Sequence, residues 1–137
     1  MNLLFICAGN AVRSQMAEGW ARALADGRHE VTSAGIDAGG VHPRAVETMR
    51  QAGIDISQHG TRRISDDLFH WADYIITLAD SVKPYSVYFP ESAAHLHWSI
   101  PNPDAMYAPG LSVDDAYAEV RDDIKRRIEK LLTSLTI

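Results

Sequence analysis

The chain carries one cysteine, Cys7, and five residues separate it from an arginine, Arg13, which Ser14 follows. A thiol and a guanidinium at this spacing suit nucleophilic chemistry on an oxyanion. The thiolate attacks the central atom while the planar fork of the arginine holds two of its oxygens. Between them lie Ala8, Gly9, Asn10, Ala11 and Val12. Gly9 and Asn10 are the residue types most tolerant of positive φ, so the backbone N–H groups of this loop are expected to curl inward as an anion cradle. Ala8 to Arg13 is therefore the expected oxyanion-binding set. Ser14 reads as the N-cap of a helix whose positive end faces the loop. In such surroundings a thiol favours its thiolate form, which is the nucleophile. A lone buried cysteine is otherwise a small hydrophobe. The arginine, glycine and serine beside it carry the functional reading.

Positioning these residues requires a strand before the loop and a helix after it. Leu3 to Ile6 is a short apolar run that reads as a buried strand ending on Cys7, and Met16, Ala17, Trp20, Ala21 and Leu24 recur at helical spacing. Asp26-Gly27 stops that helix, and His29 to Ser33 predicts a second strand. Pro43 opens a helix with Ala45, Val46, Met49 and Ala52 on one face, which Gly53 ends. Ser65 caps a short helix carrying Leu68 and Phe69, and Tyr74 to Leu78 is β-rich enough for a central parallel strand. Lys83 to Ala94 reads as irregular, His95 to Ser99 as a last strand, and Ser112 as the cap of a long helix. Tyr117, Val120, Ile124, Ile128, Leu131 and Leu135 form the apolar stripe of that helix. Alternation of this kind predicts an α/β, three-layer domain over residues 1–137, with a parallel sheet and helices on both faces.

The motifs resemble a known family. Cys-x5-Arg-Ser after a first strand is similar to the low-molecular-weight protein tyrosine phosphatases and to the thioredoxin-coupled arsenate reductases of the same fold. Residues 13–20 (Arg-Ser-Gln-Met-Ala-Glu-Gly-Trp), 33–36 (Ser-Ala-Gly-Ile), 53–59 (Gly-Ile-Asp-Ile-Ser-x-His) and 97–103 (His-Trp-x-Ile-Pro-x-Pro) look closer to the reductase branch. The resemblance implies four parallel strands in flavodoxin-like order, with Cys7 at the carboxyl end of the first, where open α/β sheets place their sites. It also implies that Ser14 stabilises the thiolate as a leaving group and that Asn10 holds the cradle open. From the residues alone, Ser14 as a cap and Asn10 as an ordinary turn asparagine serve equally well.

Both groups of relatives carry Asp-Pro in the loop that here reads Ile100-Pro101-Asn102-Pro103-Asp104-Ala105. In the phosphatases that aspartic acid protonates the leaving oxygen. Asn102 stands before Pro103 here, and an amide gives up no proton, so either Asp104 takes the role or phosphomonoester hydrolysis is slow. A purely structural Pro-Asn-Pro-Asp turn is an equal account. The reductases relay a disulfide through two further cysteines near the third main strand, whereas Leu78 to Ser86 contains none and Val12 fills the place of another common cysteine. Arg62 stands where some reductases carry an acidic ligand for a monovalent cation and phosphatases more often a basic residue, which leans toward the phosphatases, although an exposed arginine in a polar loop is the commoner meaning of such a residue.

Length and composition narrow the classes further. A net charge of −5 argues against nucleic acid and anionic membranes as partners, and 46% hydrophobic residues suit a globular domain. No apolar run is long enough to span a bilayer, and a single free cysteine suits a reducing, cytoplasmic setting. His95 and His97 alternate as a metal pair would, but nothing of matching spacing accompanies them, so neither metal nor other cofactor is expected. Tyr85, Tyr88, Phe89 and Tyr107 are candidates for a pocket wall or for packing under a loop. Three functions compete, and the single cysteine favours the first over its two alternatives. One is phosphotyrosine-type hydrolysis through a cysteinyl-phosphate on Cys7. Another is arsenate reduction with an external thiol or a thioredoxin- or glutaredoxin-type protein, and the third is a non-catalytic phosphate-binding module.

Overall fold

The computed structural model describes residues 1–106 and 108–135. Its centre is strand β1 (Asn2–Cys7), in which every residue from Leu3 to Cys7 is buried on both faces. A strand covered on both sides reads as an unbroken apolar run rather than an alternation, which is why this stretch was legible. Strands β2 (Glu30–Gly35), β3 (Tyr74–Thr77) and β4 (Ala94–His97) complete a parallel sheet in the order β2-β1-β3-β4. The chain thus leaves β1 in one direction and returns to its other side, and the reversal point lies at Cys7, the carboxyl end of β1. The flavodoxin-like expectation holds.

Helices α1 (Arg13–Ala25), α2 (Pro43–Gln51) and α4 (Val113–Ser134) pack on one another, and α1 rests on β1 and β2. Trp20 Nε1 donates to the Arg121 carbonyl at 3.1 Å and Arg121 Nη1 donates to the Thr48 carbonyl at 3.1 Å, which ties the three helices together. The other face of the sheet is aromatic. His95 meets Phe89, which meets Phe69 of α3 (Asp66–Trp71), while the alternate residues Leu96 and Trp98 face α4. Phe89 therefore packs, as does Phe69. Tyr85 and Tyr88 pair at 6.3 Å on a 3₁₀ segment, Asp80–Tyr88, which replaces the start of the expected irregular stretch and absorbs Pro84. Tyr107 lies outside the described residues.

The expected caps at Ser65 and Ser112 form. Ser65 accepts from Leu68 N, and Ser112 and Asp115 make a reciprocal capping box. The stripe Tyr117, Val120, Ile124, Ile128, Leu131 is buried, and Leu135 stands at the C-cap. Two strands differ from expectation. β2 continues to Gly35 because the Gly35 amide donates to the Arg62 carbonyl and its own carbonyl accepts from Ile64 N, partners too distant in sequence to anticipate. β4 ends at His97, yet the Trp98 and Ile100 amides go on to donate to Thr77 and Leu78. His95 and His97 do stand on one side, where both imidazoles come to Thr77 Oγ1, at 3.0 and 2.6 Å. His97 Nε2 lies 2.8 Å from Asp80 Oδ1.

Gly35 is the position where glycine is required. A Cβ there would stand 2.5 Å from Asn10 N, 2.6 Å from the Asp37 carbonyl oxygen and 2.9 Å from that of Ala8, all backbone atoms that cannot swing aside. Gly35→Ala is expected to lower stability by about 1 to 3 kcal/mol, the range for overpacking, and to weaken phosphate binding at the adjacent loop. Thermal unfolding with and without phosphate checks both. An unchanged Tm and an unchanged phosphate-induced rise would show that the loop yields freely.

Candidate active site

The loop between β1 and α1 is built from outside. Asp37 N donates to the Ala8 carbonyl at 2.9 Å, Gly39 N to that of Gly9 at 3.4 Å and His42 N to that of Ala11 at 3.0 Å. Gln15 Nε2 takes the Asn10 carbonyl at 3.1 Å, and Met16 N takes that of Val12 at 2.9 Å. Every carbonyl from Ala8 to Val12 is thereby turned outward and occupied. The amides from Ala8 to Arg13 have no hydrogen-bond acceptor among the described residues. A ring of unpaired amides beside a helix N-terminus is an anion cradle.

Asn10 is fully buried and sits at φ 50°, the left-handed conformation that asparagine tolerates best among residues with a side chain. Gly9 does not adopt positive φ, contrary to expectation, because a single αL residue suffices to reverse the loop. The Asn10 amide is satisfied on both ends. Nδ2 donates to Ser14 Oγ and to Ser33 Oγ, each at 2.9 Å, and Oδ1 accepts from Arg62 N at 2.9 Å. Of the two accounts of Asn10, the geometry matches the bracing one. Arg62 enters through its backbone while its side chain is exposed.

Ser14 is not the cap. Val12 holds the N-cap position, with no side-chain hydrogen bond, and Ser14 lies inside the first turn. Its hydroxyl is committed elsewhere, 2.9 Å from Cys7 Sγ. Since Ser14 Oγ accepts from Asn10, its own hydrogen is free to point at the sulfur. The uncapped helix start keeps its amides available to an anion, whereas a capping side chain would consume one. Arg13 Nη1 donates to the Ile100 carbonyl at 2.9 Å, which ties the guanidinium to the loop after β4, and its other donors have no acceptor among the described residues.

A buried polar network extends this cluster. Ser33 Oγ donates to Glu18 Oε1 at 2.7 Å, Glu18 Oε2 lies 3.2 Å from both Arg22 Nε and His59 Nδ1, and His59 Nδ1 is 2.9 Å from Gln15 Oε1. Sequence reasoning gave Gln15, Glu18, Ser33 and His59 no role. The available signal was Gln15 and Glu18 interrupting the inner face of α1, where both are buried.

The loop after Ile100 carries the remaining candidates. Asn102 Oδ1 accepts from Asp104 N at 3.0 Å and caps a 3₁₀ turn, Pro103–Ala105. Asp104 Oδ1 accepts from the Tyr117 hydroxyl at 2.9 Å. Neither side chain bonds directly to the cradle. A cavity of about 520 Å³ lined by Leu96, Trp98, Arg126 and Lys130 shares no residue with this chemistry.

This cradle, thiol and arginine agree with comparison to known proteins. The family model for low molecular weight phosphotyrosine protein phosphatase matches residues 2–137. The chain belongs to this family. It is also 37% identical to arsenate reductase 2 of Staphylococcus epidermidis over 131 residues, 96% of this chain and 95% of that one. Among solved structures, a low molecular weight protein tyrosine phosphatase from T. tengcongensis matches with a TM-score of 0.84 and 26% identity, covering 98% of this chain and 99% of that one. An arsenate reductase in the phosphate binding state matches with a TM-score of 0.76 and 30% identity, covering 98% of both chains. The chain is an enzyme of this family, and both the phosphatase and the arsenate reductase readings fit it. No helix among the described residues is long and apolar enough to cross a membrane.

Proposed function

We propose that this family member hydrolyses phosphomonoesters of the phosphotyrosine type through a cysteinyl-phosphate on Cys7. The observation that carries the reading is a single thiol in 137 residues, beside a hydroxyl and a ring of amides with no acceptor among the described residues. Phosphoryl transfer to water moves no electrons, so one thiol suffices. Reducing arsenate takes two electrons, and Cys7 has no second sulfur with which to form a disulfide. In the proposed reaction Cys7 attacks phosphorus, the amides of Ala8, Gly9, Asn10, Ala11, Val12 and Arg13 hold the equatorial oxygens together with the Arg13 fork, and Ser14 stabilises the sulfur when it leaves. Asp104 donates the proton to the departing oxygen and then accepts one from the attacking water. Asn102 shapes the turn, and its amide supplies no acid. A phosphoprotein substrate accords with the family model, and a cytoplasmic, reducing setting with the free thiol.

The similarity to arsenate reductases favours a second reading, in which glutathione or a thioredoxin- or glutaredoxin-type protein supplies the missing sulfur. One pair of assays separates them: aryl phosphate turnover, and arsenate reduction with each thiol in turn. We expect a burst of phenol equal to enzyme, followed by steady turnover and a phosphorylated Cys7 on rapid acid quench. Arsenate reduction at comparable kcat/KM, with no phosphoenzyme, would overturn the phosphatase reading. Phosphate binding without either turnover would leave the binding-module function.

A further inference from the structure

Within the proposed reaction, one side chain outside the cradle is tied to the acid. Tyr117, in α4, is buried, with 1% exposure, and its hydroxyl donates to Asp104 Oδ1 at 2.9 Å. Burial first, then the hydrogen bond and charge of Asp104, push this phenol up to about 12, so it is a donor throughout the working pH range. Its ring also lies 5.9 Å from the His42 imidazole, and the His42 amide donates to the Ala11 carbonyl of the cradle. One residue thus packs against the wall of the loop and holds the carboxylate. The charged or titratable groups around it are Asp104 on the 3₁₀ turn, His42 before α2, Arg44 and Glu47 on α2, and Asp114 on α4. Only Asp104 accepts its hydrogen bond among the described residues.

We propose that Tyr117 is a positioning residue for Asp104, pinning one carboxylate oxygen so that the other carries the proton to the leaving group above Cys7. The inference rests on the phosphatase reading and on Asp104 as its acid. A carboxylate on an exposed three-residue turn is otherwise free to rotate, and proton transfer demands a fixed approach to the departing oxygen. A buried phenol without an acceptor is unfavourable, so the same bond draws the turn onto α4. The balance is simple. As the S–P bond forms and the P–O bond breaks, the Asp104 proton passes to the leaving oxygen; when water attacks, its proton returns to Asp104 and the S–P bond breaks.

The test compares Tyr117→Phe with Asp104→Asn on two substrates, phenyl phosphate, whose leaving group needs a proton, and dinitrophenyl phosphate, whose leaving group does not. The ratio of the two kcat/KM values is independent of how much of a variant is folded. We expect Tyr117→Phe to lower kcat/KM for phenyl phosphate roughly tenfold, Asp104→Asn ~100-fold, and neither to change the dinitrophenyl value by more than about threefold. Inhibition by inorganic phosphate should stay as in the parent, because ground-state anion binding does not use the acid. A normal ratio in Tyr117→Phe beside a reduced one in Asp104→Asn overturns the positioning role and leaves the acid assignment standing. A normal ratio in both variants overturns the acid assignment and the inference with it.

Discussion

Arg13→Lys is expected to remove roughly 2 to 4 kcal/mol of transition-state stabilisation, read as kcat/KM on an aryl phosphate, while leaving Tm nearly unchanged. The size follows from geometry. In the structure one guanidinium nitrogen is spent on the Ile100 carbonyl at 2.9 Å, and the fork that remains can still meet two oxygens at once. Lysine has one nitrogen. It can bond to Ile100 and leave the oxyanion, or turn to the oxyanion as a point charge and let the 100–105 loop go. Both choices weaken the transition state more than the bound ester, because only as the phosphoryl group flattens do its equatorial oxygens spread into the plane that a two-pronged donor matches. A lysine variant within threefold of the parent in kcat/KM would show that Arg13 serves the loop alone.

The parts of this site that could be read from the sequence are those fixed locally. β1 is legible because a strand buried on both faces is apolar throughout, and the Ser65 and Ser112 caps because a cap is a contact three residues long. Ser14 has the same local signature and is not a cap, since a buried neighbour, Cys7, and the Asn10 amide compete for its hydroxyl and win. That competition is between residues four and seven apart across a loop, outside the reach of a helix-start rule. Gly35 and the Arg62 backbone are further removed still. Each acts on the cradle only because β2 runs to the site and the 60–64 segment bridges to it. Glu18 and His59 are illegible for another reason. A buried carboxylate is normally excluded from a helix face, and besides Arg22 one turn on, the partners that make it tolerable, Ser33 and His59, come from two other segments. For Asn102 and Asp104 the residue types posed the question correctly, and Tyr117 supplies the contact that bears on it, thirteen residues away on α4.

Asp104→Asn is expected to cut turnover of a poor-leaving-group aryl phosphate ~100-fold, and Asn102→Asp to change it little. The asymmetry comes from what each side chain is doing. Asn102 Oδ1 already accepts from the Asp104 amide at the start of a 3₁₀ turn. An aspartate in its place would make the same bond, so its carboxyl would stay engaged with the backbone of the turn. Asp104 has one oxygen on a neutral hydroxyl and the other uncommitted among the described residues, which is the arrangement a proton-carrying group needs. Leaving-group dependence provides the independent check. In the parent and in Asn102→Asp the rate should vary shallowly with the acidity of the departing phenol. In Asp104→Asn it should vary steeply, because the phenolate then leaves carrying its own charge. If Asn102→Asp instead raises turnover about 100-fold while Asp104→Asn is silent, the acid belongs before Pro103 after all, and this chain lacks it as it stands. A shallow dependence that survives Asp104→Asn would remove both residues from proton transfer and leave the 100–105 loop with the single task of holding Arg13.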